Sequence, residues 1–153
     1  AWNGAGTVKL VITDSNYQPP STALVSTVQT TIDPTQNSGD GMGLAPIDHE
    51  VTVVGATGTT INIFTTLTFQ SGWNLSECEP YIEATLDKYY SELNATWAQE
   101  NNLIVRIAQI EARLLAVPGI VDITGTKINN QTSNLTLDKD AVAVRGLFSN
   151  AQL

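Results

Sequence analysis

The only histidine of this 153-residue chain, His49, stands between two carboxylates, Asp48 and Glu50. A general base needs an imidazole and a group that orients it, so this triplet is the first place to look for catalysis. The order works against it. Neighbours along an extended segment point to opposite faces, so residues adjacent in sequence make poor triad partners. No serine sits in a Gly-x-Ser-x-Gly elbow, and Cys78 lies far along the chain. His49 therefore reads as a polar residue at a strand entrance, and no catalytic residue is assigned.

A second candidate is the cluster Gly39, Asp40, Gly41, Met42 and Gly43. Glycines let backbone N–H groups approach a pyrophosphate at a helix N-terminus. Here the spacing is Gly-x-Gly-x-Gly, no Gly-Lys-Ser/Thr follows, and the next predicted element is a strand. A mobile loop is the expectation, with a role in docking a partner and ordering on assembly. One histidine and one cysteine are too few for an ordinary zinc site, and no Asp-x-Asp-x-Asp-Gly calcium loop occurs. The expectation is no metal and no cofactor. Asn-x-Ser/Thr triplets begin at Asn74, Asn94, Asn130 and Asn134, but a chain this rich in Asn, Ser and Thr supplies roughly two by chance.

Aromatic and arginine side chains dominate binding hot spots. Trp73, Tyr81, Tyr89, Tyr90 and Trp97 gather around one predicted helix, and Arg106 and Arg113 lie seven apart on the next. These seven are the candidate interface. The plainer reading is that the aromatics are core or rim residues and that the arginines face solvent.

These residues must be positioned by elements that the patterning defines. Residues 7–13 (TVKLVIT) are rich in β-branched side chains and end in a proline-containing turn, which predicts a strand. Ser21 is placed as an N-cap, and Leu24, Val25, Val28 and Ile32 recur at helical spacing until Pro34. Residues 35–43 read as loop, 50–54 as a second strand, and 59–69 as a third. In the third, Ile61, Ile63, Leu67 and Phe69 share one face. A helix beginning between Ser76 and Pro80 turns Ile82, Leu86, Tyr89 and Leu93 inward. Another is predicted over 103–117, ended by Pro118-Gly119, and extended segments over 120–128, 134–137 and 141–147 close the chain.

The order β-α-β-β-α-α-β-β predicts an α+β fold with a ferredoxin-like split βαβ element and a C-terminal β extension. Two portions are expected, a βαββ portion over residues 1–70 and an ααββ portion over 71–153, as two small subdomains or one compact domain. A chain of this length can bury a core of ordinary size without staples.

Fifteen acidic against seven basic side chains give a formal charge of −8, which repels phosphate backbones and anionic lipid. No nucleic-acid or membrane partner is expected. Charged residues make up only 14% of the chain against 42% hydrophobic ones, so part of the thinly charged surface is expected to lie against partners. No apolar run of about 18 residues occurs, and no basic-then-apolar leader opens the sequence. The opening Ala1-Trp2-Asn3-Gly4, without an initiator methionine, suggests a domain taken from a longer protein. A single cysteine, Cys78, makes no internal disulfide.

Three stretches together resemble the baseplate J-like family of contractile phage tails. They are GTVKLVITDSNYQPPSTALVSTVQTTIDP over residues 6–34, GMGLAPIDHEVTVVGAT over 41–57, and VRIAQIEARLLAVPGIVDIT over 105–124. They follow the family's order and comparable spacing, and between them they organise nearly the whole chain. Family proteins usually carry Gly after Ala-Pro-Ile, where this sequence has Asp48.

What the resemblance implies is a structural subunit of a phage or prophage contractile-tail baseplate, built with neighbouring subunits into the ring around the tail hub. Its implied partners are other baseplate subunits and further copies of itself. It would be made in the host cytoplasm and carried in the virion tail baseplate. No enzymatic activity and no catalytic residue come with it. Two other readings stay open from residues alone. One is an enzyme or ligand-binding domain using the glycine-rich loop and acidic residues, for which a deep pocket at Asp40, Asp48 and His49 would speak. The other is a carbohydrate- or receptor-binding tail module with exposed aromatics on a β face.

Overall fold

Residues 2–151 are described by a computed structural model, whose backbone divides into two units, one running through Thr57 and one beginning at Gly58. In the first unit, the β-branched stretch Thr7–Ile12 forms β1 and Glu50–Gly55 forms β2. They pair in parallel, from Thr7 opposite Glu50 to Ile12 opposite Gly55. A parallel pair needs a crossover, and helix α1 (Thr22–Ile32) supplies it. The Ser21 hydroxyl caps α1 by accepting from the Leu24 N–H at 3.2 Å. Asp33 ends the helix in extended conformation, as the following Pro34 requires. Gly55 lets the segment just before α1 lie close on β2, since a Cβ there would meet the Pro20 ring at 2.8 Å.

Strand β3 (Thr57–Phe69) starts one residue after β2 ends. Ile61, Ile63, Thr65 and Leu67 are buried while Thr60, Asn62, Phe64 and Thr68 are exposed, the period of two that the pattern predicts. It lies between β5 (Ile120–Ile128) and β7 (Ala141–Asn150). With β5 the pairing is antiparallel, from Ile63 opposite Ile128 to Phe69 opposite Ile120, with two irregularities of register. Helix α2 (Leu75–Ala95) packs on this sheet and buries Cys78, Ile82, Leu86, Tyr89, Tyr90 and Asn94. A capping box starts α2: Asn74 Oδ1 accepts from Glu77 N at 3.2 Å, and Glu77 Oε2 from Asn74 N at 3.0 Å. This start precedes the expected one, so Pro80 falls inside the helix rather than in its first turn.

The segment predicted as a helix over 103–117 splits in two. Ile104–Val105 forms a short strand, β4, antiparallel to β6 (Leu135–Thr136), and only Ile107–Leu114 is helical, as α3. Leu103 is buried without being helical because Leu137 N donates to its carbonyl at 2.8 Å. The second unit's core joins β3, α2, α3 and β5 through Ile61, Ile63, Leu67, Ile82, Leu86, Ile110, Leu114 and Ile123. Each such side chain contributes about 1.5–3 kcal/mol on burial.

The fold is α+β, and its element order matches the predicted one apart from two added short strands, β4 and β6. The grouping of strands is what the sequence did not convey. A single ferredoxin-like sheet would unite β1, β2, β3 and β5, whereas β1–β2 form one pair and β5-β3-β7 another sheet. The backbone divides after the first residue of β3, between Thr57 and Gly58, and the buried face of β3 belongs to the second unit's core.

Candidate assembly surfaces

Two side chains from the C-terminal half of α1 organise the first unit. Gln29 Nε2 donates to Val51 O at 2.8 Å and to Asp33 O at 2.6 Å, while Gln29 Oε1 accepts from Val53 N at 2.7 Å. Asp33, only 1% exposed, accepts from Val51 N at 2.8 Å, Ser38 Oγ at 2.6 Å and Gly39 N at 3.1 Å. A glutamine and an aspartate thus satisfy the edge of β2 that faces away from β1, in place of another strand. The Ser38 hydroxyl and the Val51 N–H hold the Asp33 carboxyl below the usual carboxylate range, outweighing its burial, and Gly39 N–H adds to them.

The same carboxylate fixes the base of the glycine-rich loop. From there the chain crosses the end of α1, where Leu44 N donates to Thr31 O at 3.1 Å and Ala45 N to Ile32 O at 2.8 Å. These bonds use helix carbonyls that lack intrahelical partners. Gly43 makes the approach possible, for a Cβ there would overlap the Ile32 carbonyl. Beyond the anchored base, Met42, Leu44 and Ile47 are 70%, 73% and 66% exposed. Asp48 then turns the chain at φ +66°, with its N–H donating to Gly39 O at 2.8 Å. The left-handed conformation accounts for the family's usual glycine here, and aspartate is one of the few other residues that tolerates it.

His49 is exposed, with Nδ1 3.2 Å from Ile47 O. A depression of about 300 Å³ nearby is lined by Gly6, Ser38, Asp40, Asp48 and Glu50 among others, and His49 does not line it. Asp40 and Asp48 share the lining of this depression, and His49 stands outside it. Among the described residues, no three His, Cys, Asp or Glu side chains are grouped to hold a metal. Cys78 is buried with its thiol 3.4 Å from Pro118 O, and burial foremost, then the neighbouring Glu77 charge, pushes its pKa up. Such a thiol is unreactive. No helix of the described residues is long and apolar enough to cross a membrane.

The seven candidate interface residues separate by burial. Tyr89 and Tyr90 are core residues, 2% exposed, and cannot offer faces to a partner. The Tyr89 hydroxyl instead ties α2 to the start of α3, accepting from Arg106 N at 3.0 Å and donating to Gln109 Oε1 at 3.2 Å. Burial raises the pKa of both phenols. The spacing that put Tyr89 inward already opposed its use at a surface. Trp73 and Trp97 are half-buried against the core, and Trp73 lies flat on Gly119, where a Cβ would strike its ring. Tyr81 is 51% exposed, and Arg106 is exposed.

Arg113 bonds Glu92 at 2.6 Å and lies 5.1 Å from the Tyr89 ring centre. Arg145 clamps two of the chain's own carboxylates, Glu83 at 2.9 Å and Asp87 at 2.6 Å. Two depressions flank Arg113. One, of about 310 Å³, includes Tyr89, Glu92, Asn102, Arg106 and Gln109 in its lining. The other, of about 390 Å³, includes Tyr81, Ala84, Lys88, Val117 and Pro118. Sequence reading missed this second groove and the apolar tip of the loop. Only the apolar alternation of Met42, Leu44 and Ile47 among glycines and proline hinted at the tip.

Three of the four Asn-x-Ser/Thr asparagines have structural work. Asn74 caps α2, Asn134 Oδ1 accepts from Ile107 N at 3.0 Å, and Asn94 is fully buried.

Of the two units, the first presents an anchored loop with exposed apolar side chains and the second presents grooves beside Arg113. The family model of the Baseplate J-like central domain matches residues 1–55, and that of the Baseplate J-like protein C-terminal domain matches residues 61–148. The chain belongs to the baseplate J-like family. It is 32% identical over 136 residues to the Phage-like element PBSX protein XkdT of Bacillus subtilis (strain 168), covering 89% of this chain and 37% of that protein. It is 33% identical over 136 residues to the Uncharacterized protein YqbT of the same strain, with the same coverage. The chain thus spans little more than a third of the length of these relatives. The two family matches meet between residues 55 and 61, where the backbone divides.

Proposed function

We propose that this chain is a structural subunit of a phage or prophage contractile-tail baseplate, joining neighbouring subunits into the ring around the tail hub. The observation that carries this reading is the match of both units, in order, to the central and C-terminal domains of the baseplate J-like family. Similarity to a protein named for a phage-like element supports it. Its partners are other baseplate subunits and further copies of itself, engaged through surfaces rather than through a reactive centre. Tyr81, Trp73, Trp97, Arg106 and Arg113 are the members of the candidate set with area left to offer. The chain assembles in the host cytoplasm and resides in the tail baseplate.

The glycine-rich loop is a docking segment in this reading, with residues 39–43 mobile between its anchored ends until a partner covers them. Limited proteolysis of the free chain cuts within residues 35–43, and a partner suppresses the cut. The decisive experiment is to purify tail particles from the source phage or induced prophage and locate a labelled copy of the chain by electron microscopy. Label at the baseplate end of the tail is expected. Tails that are complete and contractile without the chain sink the proposal.

A further inference from the structure

The glycine-rich loop and the groove beside Arg113 are complementary to each other. The loop of the first unit is convex and apolar at Met42, Leu44 and Ile47, and its exposed flanks, Asp40, Asp48 and Glu50, are acidic. The groove of the second unit is concave, about 390 Å³, and its lining has Tyr81, Ala84, Val117 and Pro118 with two cations, Lys88 and Arg113, and no carboxylate. In a chain with fifteen acidic and seven basic side chains, a groove lined by cations alone runs against the overall charge. Glu92 pairs with Arg113 at 2.6 Å and lies 4.0 Å from Lys88, but it lines the neighbouring cleft and not this groove.

We infer that the apolar-acidic loop of one copy seats in the cation-rimmed groove between α2 and the end of α3 of a second copy, making a head-to-tail contact between identical chains. This rests on the assembly role proposed above and names the surfaces that carry it. Oppositely charged rims steer encounter and fix register, while the apolar side chains leave water. A contact that joins two different patches continues from copy to copy, closing into a ring if the rotation closes. Three side chains cover only part of the roughly 800 Å² per partner of a standard stable interface. One contact alone is therefore weak, and the arrangement gains strength when several copies are held together.

The test uses two variants of the chain, each blind on one side. Met42→Asp with Leu44→Asp spoils the loop, and Ala84→Glu with Lys88→Glu spoils the groove. All four positions are exposed, so melting temperatures should stay within about 2 °C of the unaltered chain. In sedimentation velocity from about 10 μM to about 1 mM, the unaltered chain gains mass with concentration, and each variant stays monomeric. An equimolar mixture of the two variants forms a heterodimer and nothing larger, because one intact loop and one intact groove remain. A monomeric unaltered chain at the highest concentration, variants that associate like it, or a mixture that stays monomeric would each overturn the inference. Variants that fail to self-associate yet are incorporated normally into tails would refute this contact as the assembly joint while leaving the baseplate reading standing.

Discussion

The side-chain amide of Asn94 occupies both main-chain hydrogen-bonding groups of Ala143: Nδ2 donates to the carbonyl and Oδ1 accepts from the N–H, each at 2.8 Å. Both residues are fully buried. Asn94 thereby does at β7 what Gln29 and Asp33 do at β2, offering a peptide-like partner from a helix to a strand. Asn94→Ala leaves two buried main-chain groups unsatisfied, at about 1–3 kcal/mol each. Chemical denaturation should show a loss of about 2–4 kcal/mol for the second unit, and Asn94→Leu should be no better. A loss below about 0.5 kcal/mol, the range of a neutral surface change, would show that water replaces the amide.

Asp33 makes the first unit sensitive to acid. Its folded pKa is lowered by the Ser38 hydroxyl first and the Val51 N–H next, so the unfolded chain takes up a proton more readily than the folded one. Stability from this group is complete above the ordinary carboxylate pKa of about 4 and is lost as pH falls through the lower folded value. Amide exchange at Gly39 and Val51 should accelerate as pH falls across that range, after correction for intrinsic rates. In Asp33→Asn the step should vanish; a step of unchanged size would assign it to another carboxylate.

Gly119→Ala tests the Val-Pro-Gly stretch. Gly119 has φ +87° and supports the Trp73 ring, and its carbonyl accepts from Gln70 N at 2.8 Å. Backbone strain of about 1 kcal/mol and an overpacking cost of about 1–3 kcal/mol combine to a destabilisation of about 2–4 kcal/mol. Trp73 fluorescence should shift as its ring moves. Unchanged stability and emission would mean that the tryptophan has room to move aside.

Tyr90→Phe should be tolerated or stabilising. The Tyr90 hydroxyl is buried without a hydrogen-bond partner among the described residues, and an unsatisfied buried polar group costs about 1–3 kcal/mol. Denaturation should show stability unchanged or raised by about 1 kcal/mol. A loss of that size would reveal a partner for the phenol.

Asp48→Gly restores the residue usual in the family after Ala-Pro-Ile. At φ +66° glycine is the less strained residue, although it also frees the unfolded chain, so a gain of about 0.5 kcal/mol is expected in thermal melts. A clear loss would mean that the aspartate side chain holds the turn.

Elements whose residues report on their own surroundings were legible in the sequence. Ser21 before a helical repeat and the alternation of Ile61, Ile63 and Leu67 each declare a local structure, and each stands where the pattern placed it; α3 ends at Leu114, a turn ahead of the Pro118-Gly119 stop. Partnership between distant segments was not legible. Nothing in residues 57–69 says that β3 pairs with β5 and β7 rather than with β1 and β2, since that choice depends on which faces meet in the core. Leu103 carried the apolar signature of a helix because an apolar residue fits a helix stripe and a buried strand entrance equally well. The candidate interface suffered from a related ambiguity. Tyr89 and Tyr81 have the same propensity for contact, and only helix phase, one facing the core and one solvent, separates them.

The amide and carboxylate bonds along β2 bear on how such a chain behaves before it meets its neighbours. Subunits destined for a crowded particle are synthesised in many identical copies, and a raw sheet border would let them zip together out of turn. Gln29 and its neighbour Asp33 occupy main-chain groups of Val51 and Val53 on that border, so these groups of β2 are not offered to another chain. In the assembly role proposed above, joints made through matching shape and charge would then not compete with strand pairing at these positions.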